Sequence, residues 1–250
     1  MADRALLLIA DIGGYTRFMK IHKINLAHAQ YVVARLLEAV IDAAGSRWKL
    51  AKLEGDAAFF YRLVPGGSQP DVGAAGRLLL AMREAFAGRR AQLARDRVCN
   101  CDACLQGTDL KIKFVLHEGE IAFQKIKRHT ELAGIDVIFV HRLLKNAVPV
   151  PEYVLTTDAV HGGLPDDLRD AALELEADLE GLGTVRTYWT DLEPFPVPPL
   201  ADPRKTFLRR AWHWLKMTVR TLPGMIGARK SCQYFRNLPG AGIHSHEEAA

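Results

Sequence analysis

Two aspartates stand where a carboxylate could bind a metal ion. Asp11 follows an apolar run and precedes a glycine pair, so its carboxylate is expected at the end of a buried strand, beside free backbone N–H groups. Asp56 follows Gly55 at the tip of a predicted hairpin. Antiparallel pairing would bring the carboxylates together, and close acidic pairs repel unless a cation bridges them. Such oxygen ligands suit Mg²⁺ or Mn²⁺ chelated by a polyphosphate, although the residue types alone equally fit a capping aspartate and a turn aspartate.

Three of the four cysteines stand within six residues, at Cys99, Cys101 and Cys104. A C-x-C-x-x-C triplet can bind Zn²⁺ when a fourth ligand comes from elsewhere in the chain. Candidates for that ligand are Cys232, His117 and His129. Reduced surface cysteines or a redox-active pair are the alternatives, but three thiols this close would be prone to oxidation, which favours zinc.

The elements that would position the aspartates alternate between strands and helices. Residues 5–11 predict a buried strand, and residues 24–44 predict a long amphipathic helix that ends at Gly45. Residues 48–53 and 57–63 predict two strands of a hairpin.

The pattern continues beyond this hairpin. Residues 72–97 predict a helix, and residues 110–117 and 121–126 predict two strands joined by a turn at 118–120. A helix at 134–145 and a short buried strand at 153–156 follow. We therefore expect an α/β (α+β) fold of the ferredoxin-like βαββαβ type, elaborated on its C-terminal side.

The composition bounds the domain organisation and the compartment. With 49% hydrophobic and 25% charged residues, the chain is ordinary for one globular domain, or for one domain with an appendage. We expect a domain at residues 1–193 with a cysteine-rich insertion near 98–107, a proline-rich linker at 194–204, and a tail at 205–250. The N-terminal apolar run is too short for a signal peptide, and the cysteines are too few for a disulfide scaffold, which favours the reducing cytoplasm.

The tail carries the positive charge of the chain. Residues 201–250 contain nine Lys/Arg and three Asp/Glu, whereas the whole chain has a net charge of +4. The nearly neutral body argues against nucleic acid as a partner. Residues 205–226 form a basic, aromatic-rich amphipathic stretch, which predicts peripheral binding to an anionic membrane or docking on a protein partner. A C-terminal helix packed on its own domain is the alternative.

Four short motifs occur in order between residues 5 and 160. They are residues 8–16 (LIADIGGYT), 52–57 (KLEGDA), 117–121 (HEGEI) and 131–143 (ELAGIDVIFVHRL). Their ordered set resembles the class III adenylate/guanylate cyclase homology domain. The resemblance implies that Asp11 and Asp56 bind two Mg²⁺ or Mn²⁺ ions with help from the Ile12 carbonyl. These metals would activate the ribose 3′-hydroxyl for attack on the α-phosphorus.

The resemblance also implies roles for substrate-binding residues. Lys52 would hydrogen-bond the base, and Glu131 stands where the family has an acidic or small polar partner for the base. Arg142 stands where an arginine neutralises charge on the phosphates in the transition state. Residues Gly13, Gly14 and Tyr15 belong to the first motif and are expected to bind substrate. In the family these groups face each other across a dimer, so a homodimer is implied.

The sequence departs from the family pattern at several positions. Ile138 replaces an asparagine that orients the ribose, and losing one such donor commonly costs ~10²- to 10³-fold in rate. His141, one helical turn further, could offer an N–H instead. Val115 replaces a glycine before the third motif, and Glu131 is one methylene longer than the commoner aspartate.

Three functional hypotheses follow. The first is a divergent cyclase that converts a nucleoside triphosphate, with ATP favoured, into a 3′,5′-cyclic nucleotide and pyrophosphate. The second is a weak or inactive cyclase-like module that binds nucleotide and regulates another protein. The third places the main function in the cysteine cluster, with the fold as a scaffold.

Overall fold

The computed structural model describes residues 2–21, 26–96 and 105–198, together with positions 211, 212, 215 and 219. The strands are β1 (Asp3–Gly13), β2 (Lys49–Glu54), β3 (Ala57–Leu63), β4 (Lys111–Ile126), β5 (His129–Ala133), β6 (Tyr153–Thr157), β7 (Leu173–Leu179) and β8 (Gly183–Asp191). The helices are α1 (Tyr15–Ile21), α2 (Leu26–Ala44), α3 (Val72–Arg95), α4 (Ile135–Arg142), α5 (Asp158–His161) and α6 (Asp166–Asp170).

The predicted fold class is confirmed. The sheet has the order β2-β3-β1-β4-β6-β8-β7, and β5 pairs with β4 outside this path. Strands β1 to β4, together with α2 and α3, form the ferredoxin-like βαββαβ unit, in which β1 lies between β3 and β4. The C-terminal elaboration adds β6 parallel to β4, and then β8 and β7.

Strand β1 is buried on both faces of the sheet, which explains its unbroken apolar sequence. Leu6 and Leu8 pack with α2 and α3 in one cluster, whereas Leu7 and Ile9 pack with α4 in the other. Successive side chains of a strand point to opposite faces, so Asp11 follows Leu7 and Ile9 onto the face covered by α4.

The predicted turn at residues 118–120 is wrong. Strand β4 runs without interruption through these residues because β1 pairs with it along its length, from Gly13↔Lys111 to Asp3↔Ile121. Val115 accordingly lies in the core rather than before a turn. The observed turn comes later, where Lys127 has a positive φ of 55° and β5 begins at His129.

Gly119 serves close packing instead of a turn. A Cβ atom at this position would lie 2.3 Å from Cγ of Asp136 in the first turn of α4. Asp136 Oδ2 accepts a hydrogen bond from the Glu120 backbone N–H at 2.6 Å, and its other oxygen lies 3.2 Å from Nε2 of His117. The absent side chain therefore lets α4 start against β4, which fixes the helix that carries Ile138 and Arg142.

The element bounds otherwise follow local signals. Helix α3 begins after Asp71, whose side chain accepts from the Ala74 N–H at 2.9 Å, as N-capping aspartates do. Helix α2 ends at Ala44, directly before the predicted terminating residue Gly45, which has a φ of 63°. The sequence did not predict α1, β5, α5, α6, β7 or β8.

The segment after β8 is attached to the body of the domain. Arg83 of α3 donates to the Phe195 carbonyl at 2.8 Å and forms a buried ion pair with Glu152 at 3.3 Å. The Phe195 side chain packs against the core. The proposed boundary at residue 193 stays a prediction, but this contact already holds the first residues of the proline-rich segment.

The tail is described at four positions, and three of them carry large apolar side chains. Trp212, Leu215 and Val219 have helical backbone and are exposed. Among the described helices, none has the length and apolar character needed to cross a membrane.

Candidate functional site

The two predicted metal-binding aspartates lie side by side. Asp11 is near the end of β1 and pairs with Ala57 of β3, the residue after Asp56. The Ile12 N–H donates to the Asp56 carbonyl at 3.2 Å, and Gly55, with a φ of 72°, makes the tight turn between β2 and β3. Strand pairing therefore brings together two carboxylates that are 45 residues apart in sequence.

The carboxylates repel each other. Burial, and then the negative charge of Asp11, raise the pKa of Asp56 from 3.8 to about 6, against the opposing effects of its own backbone hydrogen bond and of Lys113. A carboxylate pair of this kind has the donor chemistry that a divalent cation requires. Among the described residues no cluster of three or more His, Cys, Asp or Glu side chains occurs, so a metal here would rely on two carboxylates and on backbone or substrate oxygens.

Lys113 is a site residue that the sequence interpretation missed. Its Nζ lies 3.0 Å from Oδ2 of Asp11, because Lys113 of β4 is the register partner of Asp11. Burial lowers the pKa of Lys113, but attraction to Asp11 and other neighbours outweighs burial and leaves the pKa raised. The ammonium therefore stays charged and neutralises part of the acidic pair. The sequence could have indicated Lys113 if the predicted strand at 110–117 had been paired with the strand at 5–11, because this pairing places Lys113 opposite Asp11.

The raised pKa of Asp56 predicts a pH-dependent stability. Its folded-state pKa, about 6, lies above the ordinary value of 3.8, so ionisation disfavours the metal-free fold as pH rises through this window. We expect Asp56→Asn to raise the thermal midpoint of metal-free protein at neutral pH, with the gain vanishing below the ordinary pKa. Melting curves across this range would show it, with the exposed Asp42→Asn as control. An equal gain at acidic and neutral pH would contradict the assignment.

The glycine pair forms the turn from β1 into α1. Gly14 has a φ of 86°, and a Cβ atom at Gly13 would lie 3.3 Å from the Pro151 carbonyl oxygen. Both glycines line a cavity of about 280 Å³ together with Lys111 and Lys113. Tyr15 begins α1, and burial together with the charge of Asp56 raises its pKa. The two glycines of the first motif thus border a small cavity whose charged lining residues are Lys111, Lys113 and Asp109.

The other predicted residues meet in a larger cavity. This cavity of about 650 Å³ is lined by Lys52 of β2, Glu131 of β5, and Ile138 and Arg142 of α4. The sequence interpretation missed further charged lining residues, which are Glu54, Lys145, Asp178 and Glu180. Neither Asp11 nor Asp56 lines this cavity. One chain therefore presents the predicted residues as two separate groups.

Arg142 has an unused donor. Its Nη1 is buried and has no hydrogen-bond partner within the described part of the chain. The atom faces Gly181 in the turn between β7 and β8, where a Cβ atom would lie 3.6 Å away. Buried donors are nearly always satisfied, so an unpaired guanidinium nitrogen in a cavity wall is suited to an anionic ligand.

His141 does not replace the missing asparagine. Its Nδ1 lies 2.8 Å from the Val137 carbonyl oxygen, and its Nε2 lies 3.1 Å from Oε2 of Glu54. Lys52 Nζ lies 3.7 Å from the other oxygen of Glu54. Both ring nitrogens are therefore engaged, and His141 links α4 to the strand that carries Lys52 instead of offering a free donor.

Ile138 is 48% exposed. It lines the large cavity and does not belong to either buried cluster. The position where the family pattern has a ribose-orienting asparagine therefore faces the cavity but carries no polar group.

The cysteine triplet at Cys99, Cys101 and Cys104 lies outside the described residues, as does Cys232. His117 is a poor fourth ligand, because its Nδ1 lies 2.8 Å from Thr157 Oγ1 and its Nε2 faces Asp136. His129 is exposed.

Comparison with known proteins shows the family. The chain is 48% identical over 211 residues to the "Uncharacterized protein Rv2561/Rv2562" of Mycobacterium tuberculosis, a match that covers 82% of this chain and 94% of that protein. The chain belongs to the same family as that mycobacterial protein. Within this family, residues 33–153 match the description "Protein of unknown function (DUF2652)". This region contains Lys52, Asp56, Glu131 and Arg142, and it begins after Asp11.

Solved cyclase structures have a fold similar to that of this chain. The guanylyl cyclase Cya2 matches with a TM-score of 0.61 at 14% identity, over 79% of this chain and 97% of that chain. The adenylyl cyclase CyaB from P. aeruginosa matches with a TM-score of 0.52 at 14% identity, over 76% of this chain and 94% of that chain. A third match is the catalytic core of a rhodopsin-guanylyl cyclase with converted specificity, in complex with ATPαS. It has a TM-score of 0.53 at 14% identity, over 76% of this chain and 97% of that chain. Identities this low show a cyclase-like fold and leave the activity to experiment.

Proposed function

We propose that this chain is a divergent nucleotidyl cyclase that converts a nucleoside triphosphate, with ATP favoured, into a 3′,5′-cyclic nucleotide and pyrophosphate. The observation that carries the proposal is the gathering of Lys52, Glu131 and Arg142 around one cavity in a cyclase-like fold, with the Asp11–Asp56 pair at a separate place. In the reaction the ribose 3′-oxygen bonds to the α-phosphorus, the bond to pyrophosphate breaks, and the hydroxyl proton leaves.

The acidic pair is the proposed metal site. Asp11 and Asp56, with the Ile12 carbonyl, would hold Mg²⁺ or Mn²⁺, which supplies Lewis-acid activation of the hydroxyl and charge neutralisation of the triphosphate. The raised pKa of Asp56, caused first by burial and then by the negative charge of Asp11, supports this assignment. Lys113 neutralises Asp11 in the metal-free chain, and its ammonium becomes available to the phosphates once Asp11 has another cation partner.

The large cavity is the proposed binding site for base and phosphate. Lys52 donates to the base and Glu131 accepts from it, while Glu54 holds the lysine ammonium near the cavity wall. Arg142 offers its unpaired Nη1 to phosphate oxygens, whose charge grows as the bond to pyrophosphate breaks. Gly13, Gly14 and Tyr15 allow close approach of the triphosphate near the acidic pair.

A homodimer would join the two groups. Large apolar side chains are exposed at fractions between 40% and 59% on β2 and α4, which line the cavity, and on the part of β4 that pairs with the cavity-lining strand β5. They are Leu50 and Leu53 of β2, Phe123 and Ile126 of β4, and Ile135 and Ile138 of α4. Exposed apolar patches of this extent mark interaction surfaces, and a second copy placed there could bring its Asp11–Asp56 pair to this cavity.

A weak or inactive nucleotide-binding regulatory module is the second candidate. The observation in its favour is Ile138, which puts an apolar side chain into the cavity where the family pattern has a donor. Such a protein would retain nucleotide binding and would not form product.

A single assay separates the two candidates. Purified protein is incubated with Mn²⁺ and each of the common nucleoside triphosphates, and products are identified by mass. Formation of a cyclic nucleotide with an equal amount of pyrophosphate supports the cyclase. Binding by calorimetry without product supports the regulatory module, and the absence of both binding and product would contradict both.

The cysteine triplet is proposed to bind one Zn²⁺ per chain through Cys99, Cys101 and Cys104, as its spacing predicts. Elemental analysis after chelator washing should find stoichiometric zinc in wild type and none in Cys101→Ser, while Cys232→Ser tests the fourth ligand. Metal-free, folded protein with three titratable thiols would contradict this proposal. The same result would contradict the hypothesis that the main function lies in the cysteine cluster, because that hypothesis depends on zinc binding.

A further inference from the structure

The Glu54 carboxylate is shared between Lys52 and His141. Its Oε1 lies 3.7 Å from Nζ of Lys52, and its Oε2 lies 3.1 Å from Nε2 of His141. Lys52 and Glu54 are two residues apart on β2, and all three side chains line the large cavity. One planar group therefore contacts the lysine ammonium with one oxygen and helix α4 with the other.

The ring of His141 is itself held in place. Its Nδ1 lies 2.8 Å from the Val137 carbonyl oxygen, which only accepts, so this nitrogen carries a proton. The ring meets Phe59 edge-on, with 4.9 Å between centroids and an interplanar angle of 82°. One proton shared between Nε2 and Oε2 of Glu54 completes the contact, because both atoms are otherwise acceptors. Backbone, aromatic neighbour and carboxylate together fix the orientation of the ring.

The Lys52 side chain depends on this arrangement. It is 52% exposed, and a lysine ammonium on a flexible four-carbon stem can point in many directions. Phe59, against which the His141 ring packs, is the register partner of Lys52 on β3. The fixed ring therefore stands beside the lysine and holds the carboxylate that attracts its ammonium. Such ordering before a ligand arrives lowers the entropy cost of binding.

We propose that His141 is a positioning residue for the base, acting through Glu54 on Lys52. The inference rests on the proposed function, in which Lys52 donates to the base. His141 acts without a contact of its own to the ligand, because both of its ring nitrogens are engaged. The triphosphate is assigned to Arg142 and to the acidic pair. Breaking the link should therefore weaken binding of the base and leave binding of the phosphates unchanged.

Calorimetry on the full chain with Mn²⁺ tests this division, with ATP and with inorganic tripolyphosphate, which has no base. His141→Phe keeps a ring against Phe59 and removes both nitrogens. It should weaken ATP binding by about ten-fold, the effect of one lost hydrogen bond to a charged group, with tripolyphosphate binding unchanged. His141→Gln keeps an N–H donor at a similar reach and should bind ATP within about three-fold of wild type.

A double variant tests whether His141 acts through Glu54. Glu54→Gln removes the charge that attracts the Lys52 ammonium, so this variant should also bind ATP more weakly. Because both changes break the same link, His141→Phe/Glu54→Gln should bind ATP no more weakly than the weaker of the two single variants. Losses that multiply in the double variant would show independent roles and overturn the proposal.

The matched control is His161→Phe. His161 stacks on Tyr188 with 3.8 Å between ring centroids and lines neither the large nor the small cavity. The same substitution again keeps an aromatic contact, so both ligands should bind as they do to wild type.

Three results in the His141 variants would overturn the positioning role. They are an equal loss of ATP and tripolyphosphate affinity in His141→Phe, which would indicate a disturbed α4, an equal loss of ATP affinity in His141→Gln and His141→Phe, and wild-type ATP affinity in both. If wild type itself binds neither ATP nor tripolyphosphate, the proposed function fails together with this inference. Intact binding by wild type with any of the three results overturns the inference alone.

Discussion

Replacing Asp11 and Asp56 together by alanine is expected to abolish metal-dependent binding of ATP and GTP. The pair supplies the proposed protein carboxylates for the metal, and removing both should weaken binding with Mn²⁺ by on the order of 10²-fold or more. Calorimetry with and without Mn²⁺ measures this change. Residual metal-independent binding is expected in the variant, because Lys113 loses its partner and then attracts phosphate.

The control for this experiment is Asp109→Ala. Asp109 is an exposed carboxylate that lines the small cavity near Lys113 but has no proposed metal contact. Its removal changes the local charge without removing a ligand, so metal-dependent binding should be nearly unchanged. If the double variant binds both nucleotides as tightly as wild type, the metal site does not lie at this pair.

Ile138→Asn is expected to raise cyclase turnover by up to ~10²-fold, or ~2.7 kcal/mol of transition-state stabilisation. The substitution places a hydrogen-bond donor in the cavity that also contains Arg142. Burying an unpaired amide would cost ~1 to 3 kcal/mol of stability, but Ile138 is 48% exposed in the single chain, so the amide of a single chain stays in contact with water. We therefore expect an unchanged thermal midpoint, and product formation with Mn²⁺ and ATP measures the gain.

Ile135→Asn provides the matched control. Ile135 lies one turn earlier on α4 and is 59% exposed, but it does not line the cavity. It should lose the same apolar contact with a second copy without a gain in product, and sedimentation would show whether both variants keep the same oligomeric state. Absence of product from wild type and Ile138→Asn, with nucleotide binding intact, would leave the regulatory module as the function.

The sequence predicted the fold where local pattern and tertiary packing agree. The apolar run of β1, the Gly55 turn and the Gly45 helix end all act through their own backbone conformation, and each was predicted correctly. The turn at 118–120 failed because Gly119 was interpreted as a turn residue. Its role depends on Asp136, seventeen residues later, and no local pattern carries that information.

The candidate site was likewise predicted only where local sequence patterns carried the information. Pairing of β1 with the hairpin could be inferred, so the Asp11–Asp56 neighbourhood was predicted. Lys113 required the register of a third strand, and Glu54 required knowledge that His141 turns toward it. Asp178 and Glu180 come from a hairpin that the sequence did not predict. The missed contacts therefore depend on strand register and on packing between elements that are distant in sequence.

The hydrogen bond from Arg83 to the Phe195 carbonyl limits how far the tail can extend from the domain. Phe195 is fixed to the domain, and the basic, aromatic-rich stretch of the sequence begins ten residues later, at Lys205. Ten fully extended residues reach at most about 35 Å, and a proline-rich chain reaches about 31 Å. Any partner that binds the tail at Lys205 would therefore stay within about 35 Å of Phe195. Two copies whose tails bind one common partner would meet at a higher effective concentration than in free solution, which favours a weak dimer.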